Sequence, residues 1–257
     1  MSELIIDGSP VFRNPGIVLF DKDGTLIDIH HYWVSMIKIR SALIVERYFS
    51  DHRSCNSIHC ELVDAMGVNS TTGKMKSEGP VGIKPRPFIV NVAAEVVRLH
   101  GTNISNDEME MLFAEVDRQT SENMLPLLRL LPGALELLEN LKQHRVLMAL
   151  VSTDITSRAR MAMETLKLDH FFNIILGGDS VANTKPLPDL ALKAMSECRS
   201  HASGAVVIGD HPVDIEMGES AECGLNIGVL TGLSARDAFE ELNCTVIPDL
   251  TCVEVRS

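Results

Sequence analysis

The segment IVLFDKDGTL, from Ile17 to Leu26, constrains this chain more than any other. Its apolar opening reads as a strand buried on both faces. The residues that follow supply two carboxylates, Asp21 and Asp23, in a turn that contains Gly24. A buried strand ending at Phe20 delivers these acids to the carboxyl edge of a sheet, which is where open α/β folds bind their ligands. Two acids one residue apart at such an edge can divide a reaction, one as nucleophile and the other as general acid/base. Asp-Gly is also an ordinary turn pair, so the reading depends on what the rest of the chain supplies.

Three later segments supply it. RVLMALVST (Arg145 to Thr153) is a second apolar run that ends in hydroxyls. NTKPLPDLAL (Asn183 to Leu192) sets Lys185 before a proline and a helical pattern, and AVVIGDHPVDIEMG (Ala205 to Gly218) is a third apolar run that ends in Asp210, with Asp214 four residues on. Strand-like runs are expected at Ile17 to Phe20, Val146 to Val151, Asn173 to Leu176, Ala205 to Ile208, Asn226 to Val229 and Thr245 to Ile247. From Val146 onward they alternate with helical segments such as TSRARMAMETLKL, a pattern that implies parallel βαβ units with helices on both faces. The fold class expected is α/β, a Rossmann-like three-layer core.

Between the first two strands the period changes. WVSMIKIRSALIVERYF carries apolar residues at helical spacing from near His31. A second helix is expected around His59 to Met66, and two more in FIVNVAAEVVRLHG and NDEMEMLFAEVDRQTSENM, the last capped by Ser105 or Asn106 with acids in its first turn. GVNSTTGKMKSEGPVGIKPRP, from Gly67 to Pro87, is rich in loop formers. The core is therefore expected to be discontinuous, residues 1–27 with 131–257, and residues 28–130 to be an inserted, mainly helical domain.

Composition narrows the function. A net charge of −12 argues against nucleic acid, because no cationic footprint is present. No apolar run approaches the length of a membrane span, and MSELIIDGSPVFRN lacks the basic start and apolar stretch of a secretory signal. The six cysteines are scattered and form no disulfide framework, and a cytoplasmic location is expected. In DHRSCNSIHC, helical spacing would put His52 with Cys55 and Cys55 with His59 on shared faces, next to Cys60. A soft-metal site is conceivable there, although the spacing matches no familiar zinc pattern.

The four motifs in this order resemble those of the haloacid dehalogenase-like hydrolase superfamily. LPGALELLENL and GLNIGVLTGL bring the chain nearest to the phosphoglycolate phosphatase-like subgroup with a helical cap. The resemblance implies a Mg²⁺-dependent phosphatase of a small phosphorylated metabolite, acting through an aspartyl phosphate. Asp21 would be the nucleophile and Asp23 the general acid/base. Mg²⁺ would lie on Asp21, the backbone carbonyl of Asp23 and Asp210, oxygen ligands that suit a hard ion. Ser152 would donate to the phosphoryl group, which Gly24, Thr25 and Thr153 would also line. Lys185 would neutralise charge on Asp21, and Asp214 would orient a metal-bound water or Lys185.

Where the subgroup often has Asn or Gly after the hydroxyl, this chain reads Ser152-Thr153-Asp154. The cap is expected to read the leaving group through Lys74, Lys76, Lys84 and Arg86, four cations in an acidic chain. Another reading is an exposed basic loop. His30 and His31 fit a hinge or packing role better than a substrate contact. A phosphosugar mutase shares the aspartyl phosphate and is the rival reading. A non-catalytic protein of the same fold would not need Asp21, Asp23, Lys185 and Asp210 together.

Overall fold

The computed structural model describes residues 2–50, 53–76, 79–80, 84 and 86–257. In chain order the elements are β1 (Glu3–Ile6), β2 (Ser9–Arg13), β3 (Ile17–Phe20), α1 (Ile29–Phe49), α2 (Cys55–Ala65), α3 (Arg86–Leu99), α4 (Asn106–Glu122), α5 (Ala134–Gln143), β4 (Leu147–Val151), α6 (Thr156–Thr165), β5 (Ile174–Leu176), α7 (Asp189–Glu197), β6 (Ala205–Gly209), α8 (Pro212–Ser220), β7 (Leu225–Val229), β8 (Thr245–Ile247) and β9 (Val253–Arg256). The chain divides into two compact units, residues 1–29 with 128–257, and residues 30–127.

The first unit is an α/β layer structure around a six-stranded sheet ordered β5-β4-β3-β6-β7-β8. Every neighbouring pair is parallel. β3 lies between β4 and β6, so all four of its residues are buried, as a strand must be when helices cover both faces. Ile17 and Leu19 pack with Leu190, Ala191 and Ala194 of α7 and Met217 of α8. Val18 and Phe20, by strand alternation, point to the opposite face. The register pairs Phe20 with Leu150 on one side and with Ile208 on the other. The three strands therefore end within one residue of the same level, and the residues that follow each of them emerge at one edge. The chain leaves this unit and returns to it side by side, with Ile27 bridging Leu130 and the Asp28 N–H donating to the Arg129 carbonyl at 2.8 Å.

A second sheet in this unit, ordered β2-β1-β9 and antiparallel, was not among the expected strands. Its local cause is a hairpin turn. Asp7 and Gly8 carry φ of 48° and 78°, the pair of left-handed residues that a tight hairpin turn requires, and Asp-Gly follows the apolar run LII. The third strand comes from the other end of the chain, Leu4 pairing with Val255, and no local pattern announces that.

The second unit, residues 30–127, is helical. Ile37, Ile44, Leu62, Val90, Val97 and Phe113 are buried in one apolar core contributed by α1 to α4. Helix α4 starts where the sequence permits a cap. The Ser105 side chain accepts from the Glu108 N–H while Glu108 accepts from the Ser105 N–H, a reciprocal capping box. Ser105→Ala is expected to lower the unfolding free energy of the helical unit by about 1 kcal/mol, and Ser105→Gly by only a few tenths. Urea unfolding followed by circular dichroism measures both, and equal losses would show that the box does not set this helix start.

Candidate active site

The site is built where β3, β4 and β6 end. Asp21 follows β3 and is fixed by its N–H donating to the Ile208 carbonyl at 2.9 Å. Ser152 follows β4, buried, its N–H on the Leu176 carbonyl at 3.0 Å and its Oγ accepting from the Asp154 N–H at 3.1 Å. Asp210 follows β6 and is buried. One carboxylate oxygen from each of Asp21, Asp210 and Asp214 lies within 4.8 Å of the others. Lys185, its side chain 1% exposed, enters this cluster with Nζ at 2.6 Å from Asp21 Oδ1 and at 2.6 Å from Asp214 Oδ1.

The electrostatics follow from burial. Taking three carboxylates out of water beside one ammonium leaves net negative charge in a dry place. Burial pushes the Asp21 carboxyl above its usual range; Lys185 opposes that and Asp214 adds to it. Asp210 is raised further, by burial and then by Asp21 and Asp214. Burial pulls the Lys185 ammonium down, yet the facing carboxylates win and its pKa is raised. Hard oxygen donors and unbalanced negative charge are the chemistry that holds a divalent cation, so these residues fit one.

Small residues make room for the acids. A Cβ at Gly24 would lie 2.5 Å from the Asp210 carboxyl, and φ there is +88°, so a side chain is excluded on two grounds. A Cβ at Gly232 would fall 1.7 Å from Asp210 Oδ2. Thr231 donates to the Gly24 carbonyl at 2.6 Å, fastening the loop after β7 to the turn after β3. Asp214 sits at the start of α8, where its Oδ2 accepts from the His211 N–H at 3.1 Å.

The expected residues divide into two groups. Asp21, Ser152, Lys185, Asp210, Asp214 and Gly24 come to one sheet edge. The Asp23 carboxylate stays outside the acidic cluster and pairs with Lys22 at 2.7 Å. The third carboxylate of the cluster is Asp214, expected one step back from the metal. Thr25 Oγ1 is buried without a hydrogen-bond partner, and Thr153 is exposed.

In the helical unit Lys76 Nζ pairs with Asp64 at 2.9 Å. Arg86 reaches Glu110 at 2.7 Å and also binds Asp117, which in turn accepts from the buried Arg40 at 2.9 Å. Burial would raise the Asp117 carboxyl, but the two guanidiniums hold it below its usual range. Lys74 and Lys84 are exposed. His31 meets the Pro126 carbonyl at 3.0 Å. Of the suspected soft-metal group, His52 lies outside the described residues. Among the described residues the acidic cluster is the group placed to hold a metal, and no helix is long and apolar enough to cross a membrane.

Sequence reasoning missed Lys22, Asp154 and Gly232. A lysine at the end of a buried strand is itself a signal, since it must find counter-charges there.

A parallel sheet that gathers buried acids and a lysine at its carboxyl edge marks an enzyme of the α/β class. The chain belongs to the haloacid dehalogenase-like hydrolases, whose family model matches residues 81–228. It is 25% identical over 237 residues to the phosphoglycolate phosphatase of Aquifex aeolicus (strain VF5), covering 91% of each chain. It is 31% identical over 118 residues to the "Probable phosphatase IndB" of Dickeya dadantii (strain 3937), covering 46% of this chain and about half, 51%, of that protein. Among solved structures, a candidate beta-phosphoglucomutase from Thermotoga maritima shares the fold with a TM-score of 0.66 at 22% identity, over 91% of this chain and 94% of that one.

The raised Asp210 carboxyl makes a testable statement about the metal-free protein. A carboxyl whose pKa is higher folded than unfolded binds more protons in the native state, so stability falls as pH rises from the ordinary value of 3.8 toward the raised one. Asp210→Asn removes that penalty and keeps an acceptor. In chelator at pH 7 the variant is expected to melt above the wild type, the gap closing as pH drops to 4 and below. A wild type that melts higher at pH 7 would show that the ionised carboxylate is favourably held without metal.

Proposed function

We propose that this chain is a Mg²⁺-dependent phosphomonoesterase acting on a small phosphorylated metabolite, with residues 1–27 and 131–257 as its catalytic core and residues 28–130 as its cap. The observation that carries the reading is the Lys185 ammonium held at 2.6 Å from both Asp21 and Asp214, with Asp23 kept apart on a second cation. Two acids separated by one residue in the chain need different environments for different roles: one must stay ionised to attack, and the other must exchange a proton.

Asp21 Oδ attacks phosphorus, the bond to the ester oxygen breaks, and the departing oxygen takes a proton from Asp23. The product is an aspartyl phosphate and a free alcohol. Asp23, now a carboxylate, removes a proton from water as that water attacks phosphorus, and Asp21 and inorganic phosphate separate. Lys185 offsets negative charge on Asp21 as the anionic substrate approaches. Ser152 and the neighbouring backbone N–H groups would receive the phosphoryl oxygens, where charge grows during transfer. Mg²⁺ held by Asp21, Asp210 and the Asp23 carbonyl would supply the remaining charge neutralisation.

The substrate class is phosphoglycolate or a sugar or sugar-acid phosphate. The full-length likeness to a phosphoglycolate phosphatase supports the first. Lys84 and Lys74, two exposed cations of the loop-rich segment in the helical unit, are the candidates for reading a carboxylate or hydroxyl-rich leaving group; Lys76 and Arg86 are already engaged by acids of their own unit.

Activity on an aryl phosphate is expected to vanish in EDTA, return with Mg²⁺ and be inhibited by Ca²⁺, whose larger, looser coordination can take up both oxygens of Asp21. Turnover that survives complete chelation would overturn the metal assignment. Stoichiometric phosphate release separates hydrolysis from a mutase, which would return the phosphoryl group to an isomeric product.

Asp21→Asn is expected to abolish both turnover and covalent labelling. Asp23→Asn should still be phosphorylated slowly by an activated aryl ester but lack the base for water attack, so it accumulates a phosphoenzyme seen by intact mass and removed by hydroxylamine. Retained turnover in Asp21→Asn, or a label on Ser152, would sink the aspartyl-phosphate mechanism.

A further inference from the structure

Lys22 lies between the two acids of the opening motif and its side chain is only 4% exposed. A buried ammonium is costly unless carboxylates face it, and two do. Nζ lies 2.7 Å from Asp23 Oδ2 and 3.3 Å from Asp154 Oδ2. Both carboxylates are about a quarter exposed, so the pair sits at the rim of the site rather than inside the acidic cluster.

Asp154 is tied in turn to the segment after β4. Its N–H donates to Ser152 Oγ at 3.1 Å, its Oδ1 accepts from the Ile155 N–H at 2.8 Å, and Arg158 Nε approaches its Oδ2 at 3.8 Å. One lysine thus connects the loop that carries Asp23 to the loop that carries Ser152.

We infer that Lys22, anchored by Asp154, is a positioning residue that holds the Asp23 carboxylate at the rim, aimed for proton exchange and away from the Asp21, Asp210 and Asp214 cluster. This rests on the phosphatase reading above. Without the ammonium, Asp23 has no fixed charge to orient it, and its carboxylate rotates among rotamers that do not reach the leaving oxygen. The loss must then depend on how much the leaving group needs a proton. A weakly basic aryl oxide departs without help, whereas a more basic phenoxide or alkoxide does not.

The experiment measures kcat/KM, which reports the phosphoryl-transfer step that expels the leaving group, on a series from 4-nitrophenyl phosphate through phenyl phosphate to an alkyl phosphate, using the full chain with Mg²⁺. Lys22→Met is expected to lose about tenfold on the nitrophenyl ester and about a hundredfold or more on the phenyl and alkyl esters, within the range a general acid contributes. Lys22→Arg keeps the charge and should restore the wild-type slope. Asp154→Asn, which leaves the Lys22 to Asp23 pair intact but frees its anchor, should fall between them and guards against a Lys22→Met protein that fails to fold.

A uniform loss across the series in Lys22→Met and Asp154→Asn, or no loss, would overturn the inference and leave the phosphatase reading standing. A folded wild type inactive on every ester would overturn that reading and the inference with it.

Discussion

The ammonium of Lys185, 2.6 Å from Asp21 and 2.6 Å from Asp214, is the contact on which the rest of the core depends. Asp21 follows the end of β3, Asp214 stands in the first turn of α8, and Lys185 comes from the loop before α7, so this one cation joins three separate parts of the sheet edge. Ion pairs taken out of water give little net stability against apolar replacements. What this one provides is placement: it leaves Asp21 at the end of β3 with one oxygen engaged. The surrounding glycines serve the same end, because a side chain at Gly24 or Gly232 would collide with the Asp210 carboxyl where it stands.

Charge balance then explains why two lysines are buried here rather than one. Asp21, Asp210 and Asp214 already outweigh Lys185, which is why burial and mutual repulsion raise Asp21 and Asp210. A fourth carboxylate among them would deepen that imbalance. Asp23 is kept out by Lys22, whose second partner, Asp154, belongs to the loop of Ser152. Separate cations hold the two acids of the DKD sequence in separate environments, one dry and one at the rim.

The helical unit uses its charges differently. Arg40 lies over the Phe113 ring at 4.4 Å and shares Asp117 with Arg86. Burial lowers the Arg40 pKa against the pull of Asp117. Two cations around one carboxylate make a pin through the core of α1, α3 and α4. Arg86, which in the sequence looks like one more member of a basic loop, is thereby occupied inside its own unit.

Much of this architecture could be read from residues alone, because strand and helix declare themselves by period. Ile17 to Phe20 and Ala205 to Ile208 are apolar at every position, as central parallel strands must be, and Ser105 before Asn-Asp-Glu announces a helix start. The small sheet is only partly legible: Asp7-Gly8 marks its hairpin, whereas its third strand comes from the far end of the chain, a pairing with no local signature. For the site, the sequence by itself determined which side chains follow each strand, and hence that acids, a hydroxyl and a lysine were present in a particular order. Tertiary structure alone decided which of them meet. Register aligned the ends of β3, β4 and β6, and burial forced Lys185 onto Asp21 and Asp214. Burial likewise forced Lys22 onto Asp23 and Asp154, because an ammonium shut away from water has to take its partners from whatever strand ends the fold brings within reach.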